Sequence, residues 1–272
     1  MHAMTNKLKI WEEKELSWDQ SAAKACLARP IRSLKQLPQM PGITTDTARF
    51  LKIKALYYLI KQDTKKIFAR YFFKRPIKYS LALIKSYCKK ESYIREEDFF
   101  FYGIQNEEEF KNLLLRQDTL FLMGFSYCHK PFECPSGRFS AECIHDTNHS
   151  VCQQCFIGKA ANLSPKEHCT LLFIPTIHYI GEKVFEAVHA HPDKQVVFLI
   201  TACEMTLKMF SDWGNMVGAK GIGVRLDGRI CNTMQAFTLS EEGVKPGLTV
   251  LLDPTKKKIL DLLKFVHMEK AY

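Results

Sequence analysis

Gln195 to Trp213 reads QVVFLITACEMTLKMFSDW. The first seven residues form an unbroken apolar run with the length of a buried strand, and a helical stretch begins at Glu204. The two meet at Cys203, with no loop between them. Three other runs share this texture: Thr119 to Phe125 (TLFLMGF), Cys169 to Thr176 (CTLLFIPT) and Lys220 to Leu226 (KGIGVRL). Thr249 to Asp253 (TVLLD) is a candidate fifth. Helical stretches separate or follow them, at Gly181 to Ala190, Glu204 to Trp213 and Pro254 to Met268, and a short one with acids in its first turn, Glu107 to Arg116, comes before. Apolar strands alternating with helices predict an α/β fold. Its sheet is open, mainly parallel and covered on both faces, with a cysteine-rich insertion after the first strand and a basic helical region ahead of it.

The insertion is Tyr127 to Phe156, YCHKPFECPSGRFSAECIHDTNHSVCQQCF. Its cysteines, Cys128, Cys134, Cys143, Cys152 and Cys155, are spaced C-x5-C-x8-C-x8-C-x2-C, with His129, His145 and His149 between them. No hydrophobic period runs through the segment, so its thiols are not a by-product of core packing. A metal centre is the economical reading. In open parallel sheets ligands gather outside the carboxyl ends of the strands. Cys128, Cys203 and Cys231 each follow one of the apolar runs, Cys231 after the turn Asp227-Gly228-Arg229. The expected metal ligands are therefore Cys128, Cys134, Cys143, Cys152, Cys155, Cys203 and Cys231. Cys203 also opens a helix, whose dipole favours a thiolate.

Zinc prefers four ligands in compact pairs. Here only Cys152-Gln-Gln-Cys155 is a knuckle, and irregular spacing with remote contributions suits an iron–sulfur cluster, expected as 4Fe-4S. Zinc is the alternative. Seven thiols exceed one four-thiolate site, and two sites would divide them four and three. The three-thiolate centre would leave one iron open to substrate, sulfide or water. His129, His145, His149, His178, Asp146 and Glu204 are candidate acid/base groups, set against plain roles as surface residues, a loop cap and a first-turn helix acid. Arg225 and Arg229 are candidates for holding an anionic substrate at the rim. Gly221-x-Gly223 lies inside an apolar run with no third glycine opening a helix, so it is not a dinucleotide fingerprint. Cys26 and Cys88, outside any cluster, are expected to be plain buried thiols.

The chain divides by charge. Residues 1–96 carry a net +13 and residues 97–272 a net −3. Three parts are expected: an irregular N-terminal arm over 1–48, broken by Pro30, Pro38 and Pro41-Gly42; a basic helical region over 49–116; and the cysteine-rich α/β domain over 117–272. In the middle part, Ile53, Leu56, Tyr57, Ile60, Ile67, Phe68, Tyr71 and Phe72 keep a 3.6-residue pattern among lysines, and Pro76 ends or kinks it. A second helix is expected from about Lys78 to Lys90, with Leu81, Leu83, Ile84 and Tyr87 inward. A stripe this wide favours helices packed on the main domain over a basic hairpin touching a polyanion or a membrane surface. No run approaches the length of a transmembrane span, and no export signal is read at the N-terminus. Ten cysteines without such a signal point to a reducing, cytoplasmic setting.

Two segments, ITACEMTLKMF and GVRLDGRICNTMQAF, resemble the family called domain of unknown function 116. The likeness lies in Ala202-Cys203-Glu204, Cys231-Asn232-Thr233 and the upstream knuckle Cys152 to Cys155, and spans about Leu120 to Phe237. The long gaps around Cys143 depart from that pattern. The resemblance implies an iron–sulfur-type cytoplasmic protein and names no reaction. Two functions follow. One is iron–sulfur binding at the strand-end rim in redox, sulfur-transfer or small-molecule metabolism, with an electron or sulfur donor or acceptor protein as partner. The other is a zinc-stabilised module whose basic N-terminal region grips nucleic acid or a partner protein.

Overall fold

The computed structural model describes residues 2–38, 42–89, 91–165, 167 and 169–270. The helices are α1 (His2–Ala28), α2 (Thr45–Ala48), α3 (Leu51–Gln62), α4 (Ile67–Phe72), α5 (Pro76–Tyr87), α6 (Glu107–Leu115), α7 (Ser150–Gln154), α8 (Phe156–Leu163), α9 (Ile177–Ala190), α10 (Glu204–Val217), α11 (Met234–Glu241) and α12 (Asp253–Lys270). The strands are β1 (Ile94–Glu96), β2 (Phe99–Tyr102), β3 (Thr119–Ser126), β4 (Thr170–Ile174), β5 (Gln195–Ala202), β6 (Lys220–Arg225), β7 (Asp227–Gly228) and β8 (Thr249–Val250).

The main sheet has the order β1-β2-β6-β5-β3-β4. Three of its five pairings are parallel: β3 pairs in parallel with β4 and β5, and β5 with β6, while β2 runs antiparallel to β6 and β1 to β2. The fold is α/β, as the alternation of strands and helices predicts.

Alternation along each strand feeds two cores. Phe121, Met123, Phe125, Val197 and Leu199 pack with α6, α8 and α12, and with Trp11 of α1. Leu122, Val196, Phe198 and Ile200 pack with α3, α9 and α10 on the other face. Burial on both faces is why these strands read as continuous apolar runs.

Chain order through the sheet decides where a site can form. From β3 the chain crosses by α7 and α8 to β4 on one side, and from β5 it crosses by α10 to β6 on the other. The β3 crossover covers one face and the β5 crossover the opposite face, as crossovers of a single hand require. The crevice between the carboxyl ends of β3 and β5 is thus the topological switch point, the usual ligand position of such sheets. Cys128 follows β3 and Cys203 follows β5.

Several expectations change. The 1–48 arm is not irregular: residues 2–28 form α1, which packs on α7, α8 and α12. Its buried anchors, Trp11, Trp18 and Ala25, are seven residues apart. That spacing draws one thin line down a helix, too narrow to register as an amphipathic stripe. Lys159 on α8 adds ion pairs to Glu15 (3.2 Å) and Asp19 (2.7 Å). Pro30 lies beyond the helix end, and Pro41 lies outside the described residues. Trp11 is 2% exposed, so Trp11→Ala is expected to cost about 3–5 kcal/mol of unfolding free energy. Urea titration checks this as a lowered midpoint at unchanged slope.

The 49–116 region is not wholly helical. Phe99 to Tyr102 form β2, and β1 and β2 add a hairpin to the main sheet. All four β2 residues are buried, so the strand shows no alternation. β1, with Arg95 and Glu96 exposed, makes a charged edge. Asp98 locks the hairpin down, accepting from Arg225 Nε (2.8 Å) and Thr255 Oγ1 (3.0 Å). The expected single helical pattern through Phe72 is broken at Asp63, whose carboxylate accepts from the backbone N–H groups of Ile67, Phe68 and Ala69 and starts α4. Pro76 opens α5 at its first position, and Lys90 lies outside the described residues.

The candidate fifth strand is not in the main sheet: Thr249 and Val250 pair with Asp227 and Gly228 as a separate ribbon. Gly221 and Gly223 sit in β6, where an added β-carbon would collide with the Phe198 backbone and with Leu207 and Tyr102. Close packing explains them.

Candidate metal centre at the strand-end rim

Three thiols meet at the switch point. Ser126, the last residue of β3, accepts from the Cys128 backbone N–H (3.3 Å) and starts a tight 3-10 turn over Tyr127–His129. Cys203 is the N-cap of α10, and Cys231 lies between β7 and α11. All three are buried, and each lies within electrostatic reach of the others.

The balance of charge among them differs from the sequence expectation. The neighbouring Cys231 thiol, together with burial, pushes Cys203 up. Cys203, with Lys245 alongside, pulls Cys231 down. Lys245 Nζ donates to the Cys231 sulfur at 3.3 Å, so of the two thiols Cys231 is the one its surroundings favour as thiolate. Lys245 is 9% exposed. Burial by itself would lower its pKa, but Cys128, Cys231 and Cys203 outweigh that and raise it.

The other four thiols form a second group. Cys134, Cys143, Cys152 and Cys155 act on one another electrostatically. Burial raises Cys143 and Cys152 and pushes Cys155 to about 12, against the backbone N–H groups of Gly158 and Ile157 at the start of α8. Lys130 lies among them, 1% exposed. Its ammonium donates to the carbonyls of Gly137 (3.4 Å), Ser140 (2.9 Å) and Glu142 (2.6 Å). Burial lowers its pKa, while Cys134, Cys143 and Cys155 act to raise it. Each thiol group therefore has one buried lysine within electrostatic reach of three of its thiols.

Arg138 joins the two groups. Its guanidinium donates to the carbonyls of Lys130 (3.2 Å), Cys128 (3.2 Å), Lys245 (2.7 Å) and Gly247 (2.6 Å) and stacks on Phe132 at 4.2 Å. Thr249 Oγ1 adds a bond to the Cys128 carbonyl (2.6 Å), and the Tyr127 hydroxyl donates to the Ser240 carbonyl. Lys130, Lys245 and Arg138 escape sequence reasoning, since no spacing rule marks a lysine or arginine that turns inward. The one cue is that Lys130 directly follows Cys128-His129.

The remaining candidates resolve into structural parts. His149 caps α7, its Nδ1 accepting from the Val151 N–H (3.2 Å). His145 bonds the Cys143 carbonyl (2.9 Å) and stacks near Phe173, and Asp146 caps a turn through the Asn148 N–H (2.8 Å). Glu204 is held by Arg95 (3.3 Å) and Lys208 (3.0 Å), and Arg225 by Asp98 and Asp227. His129 stacks on Phe156, its Nδ1 is buried with no hydrogen-bond partner, and burial lowers its pKa to about 3. Cys26 and Cys88 are exposed, not buried.

His178 lies away from both thiol groups, its Nε2 bonded to the Leu59 carbonyl (3.2 Å), and burial lowers its pKa. With a depressed folded pKa, the unfolded chain binds the proton first as pH falls below the ordinary value near 6.5, so stability is lost on that side. His178→Gln is expected to flatten the fall in melting temperature below about pH 6.5, which a pH series of thermal melts checks.

A cavity of about 540 Å³ opens beside Cys231 and Lys245, walled by Ile230, Ala236, Leu239 and Val244, with exposed Arg229 on its lining. Among the described residues, no three His, Cys, Asp or Glu side chains are gathered into a ready-made ligand set for a metal ion. The class is that of a doubly wound α/β domain with two thiol groups on its strand-end rim. No family model, curated protein or solved structure matches the chain.

Proposed function

We propose that the protein binds iron–sulfur clusters at the strand-end rim and works in redox, sulfur-transfer or small-molecule metabolism. One observation carries this reading. Three thiols, Cys128, Cys203 and Cys231, lie within electrostatic reach of the buried Lys245 ammonium, and Cys134, Cys143 and Cys155 of the buried Lys130 ammonium, with Cys152 in reach of Cys143 and Cys134. Buried thiols crowded together resist ionising because each new negative charge meets desolvation and its neighbours. A cationic cluster core relieves both, and Lys130 and Lys245 offset the negative charge left on a thiolate-ligated cluster. The donor set suits such a centre in softness and number.

Cys134, Cys143, Cys152 and Cys155 would hold one cluster, and Cys128, Cys203 and Cys231 the other. A bound cluster supplies electron transfer and, where only three thiolates hold it, an iron open to a small molecule. The chain provides the Arg138 clamp that sets both loops, the buried lysines, and an apolar-walled approach to Cys231. Anaerobically purified protein is expected to be brown, with absorbance near ~400 nm and about eight iron and eight sulfide per chain. Colourless protein with stoichiometric zinc would sink the proposal, and about four iron per chain would sink its second cluster.

A further inference from the structure

The basic helices pack on the domain, but not through the whole expected stripe: Ile53, Tyr57 and Ile60, together with Leu81 and Ile84, which the sequence pattern places inward, form a second, exposed apolar face. The inner sides of α3, through Leu51, Ala55, Tyr58 and Leu59, and of α5, through Tyr79, are buried on the domain. Both helices lie against α10, and Lys52 and Tyr87 bond across to join them. Their outer sides therefore face the same way. On α3 that outer line is Ile53, Tyr57 and Ile60, with Phe50 just before it. On α5 it is Ile77, Leu81 and Ile84, with Phe73 in the preceding turn. Every one of these side chains is at least 60% exposed. Scattered single apolar residues on a surface need no explanation, but two parallel lines of them do.

Charge says what covers this face. Residues 49–89 carry twelve Lys and Arg and a single acid, Asp63. Lys61, Lys65, Arg70, Lys74, Lys78 and Lys85 are among the exposed ones. A second copy of the chain would bring two faces of the same sign together. Nucleic acid would use the cations, but exposed Ile and Leu lines offer nothing to phosphate. An anionic bilayer uses both: apolar side chains enter the headgroup and acyl boundary while Lys and Arg meet the lipid phosphates.

We infer that the outer face of α3 and α5 docks the protein on an anionic membrane surface. The protein lies on the bilayer and does not span it through these helices: no helix among the described residues is long and apolar enough to cross a membrane. This docking is independent of the thiol groups and of any metal they hold.

Co-sedimentation of the full chain with vesicles tests it, using phosphatidylcholine alone and three parts phosphatidylcholine to one part phosphatidylserine. Binding is expected to the mixed vesicles, weakening with salt. The triple variant Ile53→Ser, Tyr57→Ser, Leu81→Ser alters exposed positions and should melt like the parent, yet bind the mixed vesicles at least about tenfold more weakly. Lys61→Glu with Lys85→Glu should also weaken binding, by about fivefold or more. No binding to mixed vesicles overturns the inference. So does binding that the triple variant leaves unchanged, a dimer that the triple variant dissolves, or salt-sensitive binding to a DNA duplex with none to vesicles.

Discussion

Replacing Cys152 and Cys155 together by Ala is expected to remove about half of the iron and sulfide and leave the rest in place. Replacing Cys203 and Cys231 together is expected to remove the other half. The reason is that the two thiol groups are built from different parts of the fold. Cys152 lies in α7 and Cys155 caps α8, and the partners of both, Cys134 and Cys143, lie in the same insertion. Cys203 and Cys231 sit at the ends of strands on the far side of the switch point. Their companion from the insertion is Cys128, which the end of β3 positions through Ser126. Iron and sulfide assays on the two double variants, with the ~400 nm band, read the outcome. Loss of all metal in either variant would mean one shared centre and would end the two-cluster reading. Gly158 sharpens the first half of the expectation. A β-carbon there would strike the Cys152 carbonyl backbone, so α8 can approach the knuckle only because residue 158 has no side chain.

Arg138→Ala is expected to lower the unfolding free energy by about 3–5 kcal/mol and to deplete both centres together. Four backbone carbonyls from two segments, Cys128 to Lys130 and Lys245 to Gly247, accept from this one guanidinium. Removing it leaves them short of partners in a half-buried place and frees the Lys130 loop from the Lys245 loop. Arg138→Lys should recover little, because an ammonium on a flexible stem cannot present the planar fork that reaches all four. Denaturant unfolding gives the stability, and metal content after gel filtration gives the occupancy. A variant with parental stability would show that the clamp is dispensable.

Much of the main sheet was legible because its strands are buried on both faces. Leu120 to Phe125, Val196 to Thr201 and Ile222 to Val224 leave no polar interruption to confuse with a helix or loop. β2 is just as buried, but it is a four-residue run directly after the acidic Glu96-Glu97-Asp98, and only its pairing with β6 identifies it. α1 was illegible for the opposite reason, since three anchors seven residues apart leave most of its surface polar. Asp63 reads as one polar residue in a helical pattern until three N–H groups are seen to converge on it.

At the site, sequence marked the candidate residues: seven thiols, their uneven spacing, and the placement of Cys128, Cys203 and Cys231 after strands. Ligand type is a covalent property, and the period of the apolar runs follows from backbone geometry, so both can be read in one dimension. Tertiary structure decided which thiols are neighbours, that Lys245 lies against Cys231, and that Lys130, Lys245 and Arg138 turn inward. It also decided that half of the α3 and α5 apolar stripe stays outside. These depend on distances between residues up to about a hundred positions apart and on burial, where electrostatics is set by neighbours that chain order does not reveal.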